Sequence, residues 1–213
     1  MQRPIFRVLL LVTFLSGCAS ATAIPKIDDG EVAKLKNDNN AIVLLHPTLS
    51  GSTPAQVMIT LARPNTRGQY EVVRSWLLKL PQDSAQLPGQ ITLPAGHYGI
   101  VELKALDEIN YAARKGRRRE YIARNMTLEG PLLTKVYERP IATFTVEAGE
   151  VVDIGNIQVI DGPTQQGLFD QKGSFAVKVG PMPEALLKNL ADRSPALAKA
   201  RVMRTMTATV QAQ

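Results

Sequence analysis

The residues best able to do chemistry in this chain are five cations packed into six positions. Arg114, Lys115, Arg117, Arg118 and Arg119 surround Gly116 in the stretch "ARKGRRRE", with Tyr111 and Tyr121 on either flank. Clustered guanidinium and ammonium groups attract anions, so the segment is a candidate site for an anionic ligand or partner. If the chain turns at Lys115-Gly116, Arg114 faces Arg117 across a hairpin, and like charges directly opposite repel. If "LDEINYAARK" is a helix, Gly116 ends it. Either geometry exposes the charges. They then form a solvated tip, or a surface for lipid headgroups, the phosphates of an envelope polymer or an acidic protein face. Nucleic acid is not an expected partner, because no aromatic stacking platform accompanies the cluster.

The remaining reactive side chains are scattered. His46 precedes a proline at a strand end and His97 follows Gly96 in a turn. Neither has an Asp, Glu or His at ligand spacing, so both read as structural histidines and no metal site is expected. The chain has one cysteine, which excludes an intrachain disulfide and a zinc site built on several thiolates. Ser50, Ser52 and Ser84 lie in loop-like stretches where serine serves turns. Asp107, Glu108 and Glu120 are acids with nothing to single out a catalytic pair. No G-x-S-x-G, H-E-x-x-H, P-loop or dinucleotide fingerprint occurs, so no cofactor is expected. Trp76 in "VVRSWLLKL" reads as a core or interface anchor.

The lone cysteine, Cys18, stands in a segment with its own logic. "MQRPIFR" carries two arginines and no acid, "VLLLVTFL" is a short apolar run, and "SGCAS" is small. Basic, apolar, then small is the order of a secretory leader. The run is shorter than the ~20 residues that a spanning helix needs. The tetrad Leu15-Ser16-Gly17-Cys18 resembles the lipobox of bacterial lipoproteins. The resemblance implies cleavage between Gly17 and Cys18, a diacylglycerol on the Cys18 thiol and acylation of the new amino terminus. A thiolate is the side chain nucleophilic enough to take the lipid. Several chains hold a protein stably on a bilayer face, where one holds it marginally. Residue 19 is alanine rather than aspartate, which by the same resemblance implies the outer membrane, facing the periplasm.

These residues need a scaffold. The chain has 213 residues, 45% of them hydrophobic and 5% aromatic, with 14 prolines, 15 glycines and a formal net charge of +6. That is enough for one aliphatic core with many turns. Residues 1–17 read as the leader. Residues 18–40 read as a lipidated N-terminus and flexible tether, with one frayed helical turn in "EVAKLK". From 41 to 180 short strands follow one another: "AIVLLHP" closed by Pro47, "AQVMITLA", "YEVVRSWLLKL", "PGQITLPAG", "HYGIVELKA", "IATFTVEAG", "EVVDIGNIQVI" and "GSFAVKV". Breaks rich in Pro, Gly and Asn separate them, as expected of an antiparallel β-sandwich or a barrel. "LPAGHYGIVEL" and "FTVEAGEVVDIGNIQV" resemble the prealbumin-like or carboxypeptidase-regulatory-like sandwich found in bacterial lipoproteins of unassigned function. The resemblance covers roughly residues 85 to 160. It implies a mainly β, transthyretin-like fold and brings no catalytic residue. A long insertion, about Asp107 to Pro140, departs from its minimal pattern.

Residues 181–213 change character. "PMPEALLKNLADRSPALAKARVMRTMT" predicts two short helices, the second capped by Ser194 and opened by Pro195. Continuing that helix places Ala198, Val202 and Met206 on one face and Arg201 and Arg204 opposite. Together these features predict a lipid-anchored periplasmic module that is not an enzyme and binds an envelope protein or an anionic envelope polymer. The rival expectation is a periplasmic hydrolase or peptidoglycan-modifying enzyme whose site assembles from distant residues.

Overall fold

The computed structural model describes residues 29–49, 54, 56–80, 86–106, 118–123, 126–166 and 171–209. The elements are α1 (Asp29–Asn37), β1 (Asn40–Leu49), β2 (Gln56–Pro64), β3 (Tyr70–Lys79), β4 (Gly89–Pro94), β5 (Gly96–Leu106), β6 (Arg118–Ile122), β7 (Met126–Glu129), β8 (Thr134–Tyr137), β9 (Ala142–Val146), β10 (Val151–Gln166), β11 (Gln171–Gly180), α2 (Glu184–Arg193), α3 (Pro195–Ala200), β12 (Arg201–Met203) and β13 (Thr207–Ala208). Two sheets pack face to face. The smaller runs β11-β10-β1-β4, with β12 also on β10. The larger runs β13-β9-β5-β2-β3-β8-β7, with β6 also on β5. The chain is thus mainly β, a sandwich rich in antiparallel pairs with short helices near the C-terminus.

The aliphatic run of β1 is explained by burial on both faces. Ala41, Val43 and Leu45 enter the core between the sheets. Ile42 and Leu44 enter a second core on the far face of the small sheet, under Met182, Leu186, Leu190 and Leu197. β1 pairs in parallel with β10, Ile42 opposite Val151 through Leu49 opposite Val159, and antiparallel with β4. Central strands covered on both sides read as continuous apolar runs rather than alternating ones. The strand continues past Pro47 to Leu49 instead of closing there. β4 pairs with β1 from Asn40 only as far as Leu45, opposite Gly89, so Pro47 lies where that flank of β1 has no β4 partner, a position that tolerates a missing donor.

Two further expectations are corrected at the ends of the fold. The stretch read as a tether up to residue 40 folds from Asp29 onward. α1 carries Val32 and Leu35, three apart on one face, and packs them on the second core. Asn39, at φ 54°, ends the helix in the left-handed region that asparagine tolerates. At the other end α2 and α3 form as expected and Pro195 opens α3, but Ser194 makes no capping hydrogen bond through its side chain. The helix then stops at Ala200, so Ala198, Val202 and Met206 share no helical face. Arg201–Met203 instead pair in parallel with Val151–Asp153. The reason is local: the start of β10 has an open flank, and Asp153 is completely buried and needs a cation. Arg201 supplies it at 2.6 Å, while the Asp153 carboxylate also accepts the Gly155 N–H at 2.8 Å. The chain then crosses to the other sheet, where β13 pairs with β9. The C-terminal segment therefore stitches both sheets along one side.

Candidate functional site

The most chemically loaded place among the described residues lies on the outer face of the large sheet. β5 alternates: Leu103 and Ala105 enter the core, while Glu102 and Lys104 point to the other face. Glu102 nevertheless keeps only 5% of its side chain exposed. The cover is the β7–β8 hairpin. β8 is paired with β3 only at Tyr70 and Glu71, and β2 separates β3 from β5. Yet Tyr137 and Lys135, both on β8, reach Glu102, so the hairpin leans across the sheet.

The geometry around the carboxylate is dense. The Tyr137 hydroxyl donates a short hydrogen bond to Oε1, and Lys135 Nζ approaches the same oxygen at 3.2 Å. Thr60 Oγ1 donates to Oε2 at 3.4 Å and Lys104 Nζ lies 3.4 Å from it. Thr60 Oγ1 also shares a 2.8 Å hydrogen bond with Ser75 Oγ, and Lys104 approaches Glu120 at 4.0 Å. Burial alone raises the Glu102 pKa. The Tyr137 and Lys135 hydrogen bonds and the two lysine charges together outweigh it, so the group is held below the ordinary carboxylate value. Burial, the hydrogen bond to Glu102 and its charge push the Tyr137 hydroxyl far up. At neutral pH the pair is a fixed anion and a fixed donor. A carboxylate so stabilised is a poor base, and the chain Ser75–Thr60–Glu102 pins the hairpin rather than activating a serine.

The residues singled out from the sequence are dispersed. His46 lies on β1 in the small sheet, buried, and desolvation lowers its pKa, favouring the neutral ring. His97 lies on β5 in the large sheet, with Nδ1 3.0 Å from Thr145 Oγ1 and Nε2 3.3 Å from Tyr70 Oη. Trp76 packs half-buried on the main core, with the Arg74 guanidinium 5.4 Å from the ring centroid. Tyr121 is buried edge-on to Phe175 and donates to Asp161 at 2.6 Å, tying β6 to β10. In the basic cluster, Arg118 and Arg119 form the start of β6, opposite Leu106 and Ala105 of β5. Arg114, Lys115, Arg117 and Tyr111 lie outside the described residues. So do Gly17, Cys18, Ser50, Ser52, Ser84, Asp107 and Glu108.

Sequence reasoning missed Glu102, Tyr137 and Lys135. The available signal was the "VELKA" alternation, which sets a glutamate and a lysine on one face of a strand. Also missed was an apolar tip on the same hairpin: Leu132 is 88% exposed and Leu133 64%, the latter at φ 50°. Among the described residues no three His, Cys, Asp or Glu gather as metal ligands. No helix among them is long and apolar enough to cross a membrane. Compared with known proteins, the chain matches no family model and no curated sequence.

Proposed function

We propose that this chain is a bacterial lipoprotein, anchored through acyl groups on Cys18 to the periplasmic face of the outer membrane. There its sandwich acts as a non-enzymatic binding or structural module of the cell envelope. The observation that carries the reading is the N-terminal order of arginines, apolar run and Leu15-Ser16-Gly17-Cys18. Ten residues, 19–28, stand between Cys18 and the first residue of α1. Their contour is at most about 35 Å, so the domain stays close to the headgroups. The partner is an envelope protein or an anionic envelope polymer, met by Arg114, Lys115, Arg117, Arg118 and Arg119. The rival hydrolase reading requires a proton acceptor beside a nucleophile. The lowered pKa of Glu102 disfavours the one serine–carboxylate chain described here.

The anchor is tested by replacing Cys18 with Ala and fractionating cells. The wild type partitions with membranes and the variant does not. An unmodified thiol on the exported wild-type chain, seen by mass spectrometry, overturns the assignment. The partner surface is tested separately by changing the five basic residues to Ser and repeating co-purification from solubilised envelopes. Retention of the same partner removes the basic segment from the reading.

A further inference from the structure

The turn between β7 and β8 carries apolar side chains at a cost. Gly130 and Leu133 both have positive φ, and the Leu133 N–H donates to the Gly130 carbonyl at 3.1 Å, closing the turn. At φ 50° the Cβ of a leucine crowds its own backbone, a position that glycine or asparagine fills with less strain. Leu133 recovers little by burial, being 64% exposed, and Leu132 beside it is 88% exposed. The turn therefore projects two adjacent leucines outward. Behind them Glu129, the last residue of β7, is held by Arg67 at 3.2 Å and by Gln69 at 3.4 Å, both from the turn between β2 and β3. That turn follows the end of β2, where Arg63 donates to the Ala95 carbonyl, and the Ala95 N–H donates to the carbonyl of Asn39. Asn39 is where the chain passes from α1 to β1. The leucine tip and the entry of the N-terminal segment thus lie at one end of the sandwich.

We propose that Leu132 and Leu133 insert into the phospholipid face to which the chain is anchored, as a second foot beside the acylated Cys18. The proposal rests on the lipoprotein reading, because it is the anchor that keeps a bilayer within reach of the tip. Ten residues separate Cys18 from α1, at most about 35 Å, and α1 adds about 14 Å over its nine residues. A bilayer suits the tip better than a protein does. Stable protein interfaces bury ~800 Å² on each side, which two side chains at the end of a hairpin do not supply. Two leucines are enough to reinforce an anchor, because each buried methylene adds to the hold of the acyl chains. The Arg67–Glu129 ion pair sets the depth: its charges stay with water and headgroups, so only the turn beyond Glu129 enters. From behind, the Tyr137 and Lys135 contacts to Glu102 hold the hairpin on the sheet, so the tip is presented from a fixed support.

The test supplies the anchor chemically, so that it reads the tip whether or not cells acylate the chain. The chain from Cys18 onward has one thiol, which is alkylated with a single tetradecyl group. One such group holds a protein to a bilayer marginally and reversibly, so binding to phosphatidylcholine vesicles is measurable by co-sedimentation. Leu132→Ser with Leu133→Ser is expected to weaken binding about tenfold, equally at physiological and at high salt, since the contact is apolar. Val73→Ser with Leu77→Ser removes two exposed aliphatic side chains from β3 and is expected to leave binding unchanged. In cells, a benzophenone amino acid in place of Leu132 is expected to cross-link to phospholipid. Unchanged binding of the tip variant, equal weakening by the β3 variant, an effect confined to low salt, or a benzophenone adduct with protein alone each overturns the insertion. An unmodified Cys18 thiol on the exported chain instead overturns the anchor, a failure that leaves the vesicle binding of the tip unaltered and so is told apart from this one.

Discussion

Tyr137→Phe isolates what holds the β7–β8 hairpin to the sheet. The change deletes one hydroxyl and leaves the ring, which is completely buried. The hydroxyl donates to a carboxylate that is itself 5% exposed, so water cannot replace it freely. Hydrogen bonds to charged groups contribute ~1.5–3 kcal/mol. Lys135 stays on the same oxygen but is half-exposed, so it compensates only in part. The expected loss is about 2 kcal/mol at pH 7, or roughly 6 °C in Tm for a fold of this size. The pH dependence has a definite sign. Glu102 has a folded pKa below its ordinary value of 4.5, so its stabilisation is present above that value and disappears as pH falls through the folded one. Once Glu102 is protonated, the bond becomes an ordinary neutral one worth ~1 kcal/mol. Urea denaturation of both forms between pH 7 and pH 3 reads the gap directly. It should narrow on acidification, and amides of β7 and β8 should exchange faster in the variant. A gap under 0.5 kcal/mol at pH 7, or one that stays constant with pH, refutes the role assigned to this contact.

Three other outcomes are expected. Asp153→Asn removes the charge that Arg201 answers inside the small sheet, and should cost about 3–5 kcal/mol by denaturant titration, with β12 amides losing protection first. Gly155 and Gly68 both have positive φ, but a Cβ at Gly155 lands on the Gly180 carbonyl while Gly68 faces open space. Calorimetry should therefore find Gly68→Ala costing about 1–2 kcal/mol and Gly155→Ala clearly more. Leu190→Ala empties a fully buried site between α2 and the small sheet and should cost about 2–5 kcal/mol, measured by chemical unfolding.

Strand segments were legible where apolar residues alternate. "QVMITLA" alternates because Val57, Ile59 and Leu61 of β2 enter the main core from one face, but the strand runs on through Arg63 and Pro64, where the pattern predicts a turn. The solid run of β1 was legible as a strand, but the run alone does not reveal its helical cover or its parallel partner, which depend on residues far along the chain. α1 looked like tether because two apolar residues among charges make a thin stripe. It becomes a helix because a greasy sheet face lies beneath it. The C-terminal helix was legible until Arg201, where a buried carboxylate elsewhere in the fold overrides helix propensity. Glu102 was invisible for the same kind of reason. A charge on the outer face of an antiparallel strand ordinarily meets water, and only the covering hairpin makes it buried.

The parallel joint between β1 and β10 sets an order of events during synthesis. β2, β3 and β5 find one another through nearby antiparallel contacts, whereas Ile42 must wait for Val151, roughly a hundred residues later. Until then Ile42 and Leu44, on the far face of β1, lack both the parallel partner strand and the C-terminal helices that cover them. A chain halted before residue 150 is therefore a sticky half-product, and a holdase that grips short aliphatic runs would find its target at the very beginning of the domain.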